Sequence, residues 1–243
     1  APATPPRRAT QIGTLLRQGK QLEAERRWGD ALVHYEEALR VHPEDATLQR
    51  RFDLARIHYD LGRRYADRTF LDDVDRLSLP GALDLYTRVL LKVQAHYVES
   101  PDWRMLVDRG TTGLAVALGE QTFVDHNLTH VKSEEIDAFR CELRRVLDGR
   151  TVATRADARD AVAEAAGLAR ERLRIHPTPV VFEYLCGAIN ALDPYSVYLT
   201  PEQLDEVYSQ IEGNFVGLGI ELKANGEGLL IVRVIPGSPA AAA

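Results

Sequence analysis

The chain has 243 residues, enough for one large or two medium domains that each bury a core of their own. Hydrophobic residues make up 45% and charged residues 27%, ordinary values for a globular protein. A net charge of -6 leaves no basic excess to release counterions, which argues against a phosphate-backbone binder, so no nucleic-acid partner is expected. No run of about 18 apolar residues is present, so no membrane span is expected.

The chain opens on Ala1-Pro2-Ala3-Thr4-Pro5-Pro6-Arg7-Arg8, a stretch too rich in proline to pack. Residues 1–10 are expected to be a disordered tail or linker. The missing initiating Met and apolar leader fit either a removed targeting segment or an excised piece. Basic residues are nearly all arginine, the lysines being Lys20, Lys92, Lys132 and Lys223 alone. The two cysteines, Cys141 and Cys186, have no paired spacing for zinc or redox chemistry and read as small buried hydrophobes.

Residues 11–70 are helical by pattern. Leu15, Gly19, Leu22, Ala31, Tyr35, Ala38 and Pro43 fall on the spacing of a tetratricopeptide unit. Gly19, Ala31 and Ala38 would let two antiparallel helices approach closely, Tyr35 would fill the gap, and Pro43 would stop the second helix. A second copy one period later fails, because Asp53 and Tyr65 stand where Gly19 and Ala31 would repeat. One unit builds no concave groove, so a structural helical hairpin is the expectation. The next helix runs from Ala46 to about Tyr65, with Leu48, Phe52, Ala55 and Tyr59 on one face.

Asp72-Asp73-Val74-Asp75 lacks the glycine and terminal glutamate of a calcium loop and reads as a solvated connector between Thr69 and Pro80. Helices are predicted over 81–98, 103–118, 133–148 and 156–174. The last has a narrow apolar face of Val162, Ala166, Leu168 and Ala169 and is expected on the surface. The seven histidines do not cluster as metal ligands; His126 and His130 lack the glutamate of a zinc-protease helix. No metal and no cofactor is expected.

From residue 178 the signal sharpens. Val180–Ala191 is an apolar helix that stops before Leu192-Asp193-Pro194. Thr200-Pro201-Glu202-Gln203 is a helix start, with Thr200 as cap, Pro201 in the first turn and Gln203 closing a capping box. Leu204, Val207, Tyr208 and Ile211 form a stripe expected to be buried, and Gly213 ends the helix. The period then changes to that of strands. Phe215–Leu222 leads into a turn at Asn225-Gly226, and Leu229–Val234 returns as a hairpin partner.

Within this stretch Gly217-Leu218-Gly219-Ile220 stands directly before a strand. Two glycines around one apolar residue let successive backbone N–H groups converge on a concavity, a nest that suits a carboxylate. The strand from Ile220 to Lys223 would offer an edge on which an extended peptide could lie. Nest and edge together would recognise the end of a chain. Gly217, Leu218, Gly219 and Ile220 are therefore the expected substrate-carboxylate-binding residues.

The segments Leu192–Gln203, Gly213–Leu222 and Val234–Ala240, in this order and at these distances, resemble the C-terminal processing (tail-specific) serine peptidases. Residues 83–118, with Tyr97-Val98 and Asp102-Trp103, are also similar to that family's N-terminal helices. The expected fold is mainly α: a helical bundle with the tetratricopeptide-like hairpin, read from its spacing, at its N-terminus, followed by the truncated, β-rich start of a PDZ domain that the resemblance implies. It divides the chain into the tail at 1–10, a tetratricopeptide-like region at 11–70, the peptidase's helical N-terminal domain at 71–212 and the first part of a PDZ domain at 213–243.

Three departures accompany it. Tyr195 stands where the family usually has histidine, 119–180 reads as an insertion (Gly113, Ala117 and Leu118 being echoed by Gly187, Ala191 and Leu192, as in a local duplication), and the tetratricopeptide-like hairpin is not a standard part of the family.

The family cuts with a serine nucleophile and a lysine base in a domain that follows the PDZ domain. No catalytic residue is expected in this chain. Lys132 and Ser133 are adjacent and diverge, Lys223 lies in a strand among apolar partners, and Ser238 precedes Pro239 with no base nearby in sequence. The resemblance implies C-terminal tails of protein substrates as partners, homo-oligomers as an option, and a periplasmic or cell-envelope location with the cytoplasm left open. Without the later helix of a PDZ groove, this chain is expected to bind peptide tails weakly or not at all; submicromolar binding of a free-carboxylate peptide would refute that. The rival is a non-catalytic adaptor that combines a tetratricopeptide-like hairpin with a PDZ domain; a weaker third reading is a purely structural helical protein.

Overall fold

The computed structural model describes residues 6–128, 131–193, 195–212, 219–225 and 228–241. Eleven α-helices and one antiparallel strand pair are found among them. The chain forms two units, residues 1–198 and residues 199–243.

The first unit begins with α1 (Pro6–Ala24), α2 (Trp28–Val41) and α3 (Ala46–Ala66). α1 starts at Pro6, earlier than the helical region expected from residue 11. It turns into α2 through Arg26, whose φ of 56° is left-handed. The ring of Tyr35 lies where a Cβ on Gly19 would stand, 2.2 Å from that position, so α1 and α2 close on each other only because residue 19 has no side chain. Tyr35 is fully buried and its hydroxyl donates to Glu23 at 2.6 Å. Burial and that hydrogen bond push the phenol up to about 12. Ala31, Tyr35, Ala38, Leu48 and Ala55 form a small core of their own. Asp45 caps α3 by accepting the N–H groups of Thr47 and Leu48.

A larger core is shared by α4 (Arg68–Arg76), α5 (Leu79–His96), α6 (Trp103–Ala117), α7 (Gln121–Asn127), α8 (Ser133–Asp148), α9 (Arg155–Leu173) and α10 (Pro177–Asn190). Boundaries follow from caps: Ser78 accepts from Gly81, Asp102 from Met105, and Thr154 exchanges hydrogen bonds with Asp157. α6 crosses α10 at two glycines. A Cβ on Gly187 would lie 2.6 Å from the Gly110 Cα, and one on Gly110 would lie 2.8 Å from the Tyr184 Cα.

Three expectations are corrected here. The Asp72–Asp75 run is not a connector but part of α4, because Asp67 caps it and Phe70 and Val74, four apart, are both fully buried. α9 is not a surface helix. Ala158, Ala161, Val162, Ala165, Ala166, Ala169 and Leu173 are all buried, against α8, α10, α5 and α6. Small side chains admit neighbours on several sides, so a face weak in hydrophobicity still packs tightly. Of the two free cysteines, Cys186 is buried as expected, but Cys141 is exposed on α8.

The second unit holds α11 (Pro201–Glu212), β1 (Ile220–Asn225) and β2 (Gly228–Val234). The Thr200 N–H donates to Gln203 and the Gln203 N–H to the Thr200 hydroxyl, both at 3.3 Å, the reciprocal cap read from the sequence. The stripe of Leu204, Val207, Tyr208 and Ile211 is not buried; Ile211 is 75% exposed. Helical spacing identifies the apolar face of a helix but not whether anything lies against it.

Candidate functional site

The strand pair supplies the first candidate. β1 runs antiparallel to β2 from Ile220↔Val234 to Asn225↔Gly228, with a register shift between Glu221 and Leu222. Among the described residues β1 has no partner on its other side, so one edge of it is open. Gly219, at the head of the strand, has φ 77°. Its carbonyl accepts the Ile235 N–H at 2.7 Å and the Ser238 hydroxyl at 3.4 Å. A Cβ at this position would lie 2.0 Å from the Ser238 Cβ. Conformation and contact therefore both demand glycine. The Pro236–Ser238 turn, with Gly237 at φ 80°, leads into one 3-10 turn at Pro239–Ala241. Of the four residues expected to bind a carboxylate, Gly219 and Ile220 are described and adjoin this turn; Gly217 and Leu218 lie outside the described residues.

The segment that ends the first unit is a tight, self-bonded turn. Asp193 accepts the N–H groups of Tyr195 and Ser196, both at 2.7 Å, and the Ser196 hydroxyl at 3.0 Å. Desolvation works against its charge, yet these donors hold the carboxyl below the usual carboxylate range. Tyr97 donates its hydroxyl to the Leu192 carbonyl at 2.7 Å, and Tyr198 packs edge-on against Phe70 and Phe182. Tyr195 is 93% exposed.

Of the residues considered for a serine–lysine pair, the Lys223 side chain lies outside the described residues. Ser133 opens α8, while the Lys132 backbone N–H is bonded to Glu135 at 2.8 Å. The Ser238 hydroxyl is directed to the Gly219 carbonyl. Among the described residues no group of three or more His, Cys, Asp or Glu side chains is placed to hold a metal, and no helix is long and apolar enough to cross a membrane.

A second polar centre lies inside the first unit and was not read from the sequence. Arg64 of α3 donates to Glu183 of α10 at 2.9 Å, with side-chain exposures of 6% and 1%. Burial raises the Glu183 carboxyl above its ordinary value, against the pull of the Arg64 charge. Burial also pushes the neighbouring Cys186 thiol up to about 12, which leaves it an unreactive thiol. One signal could have revealed the pair: Glu183 interrupts the apolar run Val180–Cys186, and a carboxylate there requires a buried partner.

Local sequence similarity connects the chain to serine proteases. Over 48 residues it is 40% identical to proteins named "Probable CtpA-like serine protease" from Staphylococcus aureus, strains COL and Mu50 among them. The match covers 20% of this chain and 10% of each of those proteins, so the chain spans about a tenth of the relatives it matches. No family model and no solved structure matches the chain.

Proposed function

We propose that the chain is the N-terminal part of a serine endopeptidase that selects substrates by their C-termini. The observation that carries this reading is the 40% identity over 48 residues to CtpA-like serine proteases. The local geometry supports it: a strand with one open edge is headed by a glycine at φ 77° that tolerates no side chain. In this reading β1 and β2 begin a PDZ domain. A substrate tail adds to the open edge of β1, and backbone N–H groups of Gly217–Ile220 take its terminal carboxylate.

The serine nucleophile and lysine base belong, in this reading, to a part of the parent protein outside these 243 residues. The α1–α2 hairpin is a tetratricopeptide-like packing element, with assembly of copies as a further role of the helices of the first unit. A periplasmic or envelope location goes with the same reading.

The test uses the full-length parent protein. Cleavage of a reporter with a free C-terminal carboxylate is expected to exceed cleavage of its amidated twin by at least about tenfold, the order expected for losing one charge-assisted contact. Equal rates would remove the tail-recognition claim. No proteolysis, with the tail still bound, would favour a non-catalytic adaptor.

A further inference from the structure

α3, α6 and α10 enclose a cavity of about 80 Å3 in the first unit. Arg56, Arg64 and Arg109 line it together with the apolar surface of Ile57, Gly187 and Ala191. Side-chain exposure rises from 6% at Arg64 through 19% at Arg56 to 48% at Arg109, so the three guanidiniums run from the floor of the cavity to its mouth.

Each guanidinium already faces one carboxylate. Arg64 is 2.9 Å from Glu183, Arg109 is 3.6 Å from Asp53, and Arg56 is 3.8 Å from Asp60 and donates to the Ser196 carbonyl at 3.2 Å. A guanidinium carries five N–H donors, so these contacts leave donors over. The Arg64 Nε–H has no hydrogen-bond partner among the described residues, and neither has the Oε1 of its ion-pair partner Glu183. Three planar forks with spare donors around one small space suit a flat, singly charged oxyanion. Asp53 and Glu183 in the same lining repel any anion, but repel phosphate, with its greater charge, more than a carboxylate, and phosphate would leave the apolar wall unused.

We propose that this cavity binds a small aliphatic carboxylate, its head on the guanidiniums and its short chain against Ile57, Gly187 and Ala191. The proposal is independent of tail recognition at β1, which lies in the other unit.

Calorimetric titration of the whole chain with butyrate, acetate and inorganic phosphate, at constant ionic strength, tests it. Butyrate is expected to bind saturably and roughly tenfold more tightly than acetate, since it buries two more methylenes. Arg56→Gln and Arg109→Gln are expected to weaken butyrate by about tenfold or more, the loss of one charge-assisted contact, with unchanged circular dichroism. Arg40→Gln, on an exposed α2 side chain, is expected to bind as the parent does. These two variants avoid Arg64, whose loss alone would strand the buried Glu183 carboxylate. Non-saturable butyrate heat, binding unchanged in both cavity variants, or a preference for phosphate would each overturn the assignment.

Discussion

Arg64 and Glu183 show how much one buried contact can decide. Removing the arginine strands a carboxylate that is 1% exposed, whereas removing both charges strands nothing. Arg64→Met is expected to destabilise the first unit by about 3–5 kcal/mol, and Arg64→Met with Glu183→Leu to recover a large part of that loss. Urea denaturation of the singles and the double variant gives both numbers.

His58 offers a second test at the same scale. It stacks on Trp28 at 3.8 Å and bonds to Glu120 at 2.5 Å, with Arg26 3.7 Å from the same carboxylate. Burial lowers the histidine below its ordinary 6.5, with Glu120 opposing. A depressed histidine favours the folded state while neutral, so its contribution is full above pH 6.5 and is lost as pH falls through 6.5 toward the folded value. Denaturation midpoints of the parent are expected to fall more between pH 7.5 and 5.5 than those of His58→Gln; parallel slopes would show that His58 is not the titrating group.

At the scale of elements, the α6–α10 crossing is set by backbone rather than by side-chain choice. Gly187→Ala would drive a methyl into the Gly110 backbone, which cannot swing aside as a side chain can. A loss of about 1–3 kcal/mol or more is expected, read as a lowered urea midpoint. Gly167→Ala has open space around the new methyl and is expected to be neutral or stabilising, since alanine is the better helix former.

The same scale shows what could be read in advance. α3, α5, α6, α8 and α9 lie close to their predicted spans, and in the structure Asp45, Ser78, Asp102 and Thr154 cap the starts of α3, α5, α6 and α9 through short-range chemistry. α4 was hidden because its aspartates outnumber its two buried residues. α7, seven residues long, has too few turns for a period to show. At the strand pair, the requirement for Gly219 was readable as a turn signal. The ion pair was not, because its partners are 119 residues apart and only tertiary packing joins them.

For the molecule as a whole, the two units differ in how they hold together. The first has a continuous buried core from Leu61 to Ala188. In the second, α11 has no buried residue and Leu230, Ile231, Val232, Val234 and Ile235 are all more than 40% exposed. Few buried contacts mean a low local opening free energy. Amide hydrogen exchange in β1 and β2 is expected to be faster than in α6 and α10 by about a thousandfold or more, the ratio set by several kcal/mol of local stability. Equal protection in both units would show that the strand pair is covered in solution.

The contrast between the two cysteines turns the protein into its own reporter. A thiol-directed dye should couple at once to Cys141 and leave Cys186 untouched until α10 parts from its neighbours. Mass spectrometry of the second label, followed over time, would then time the breathing of the helical core without any engineered probe.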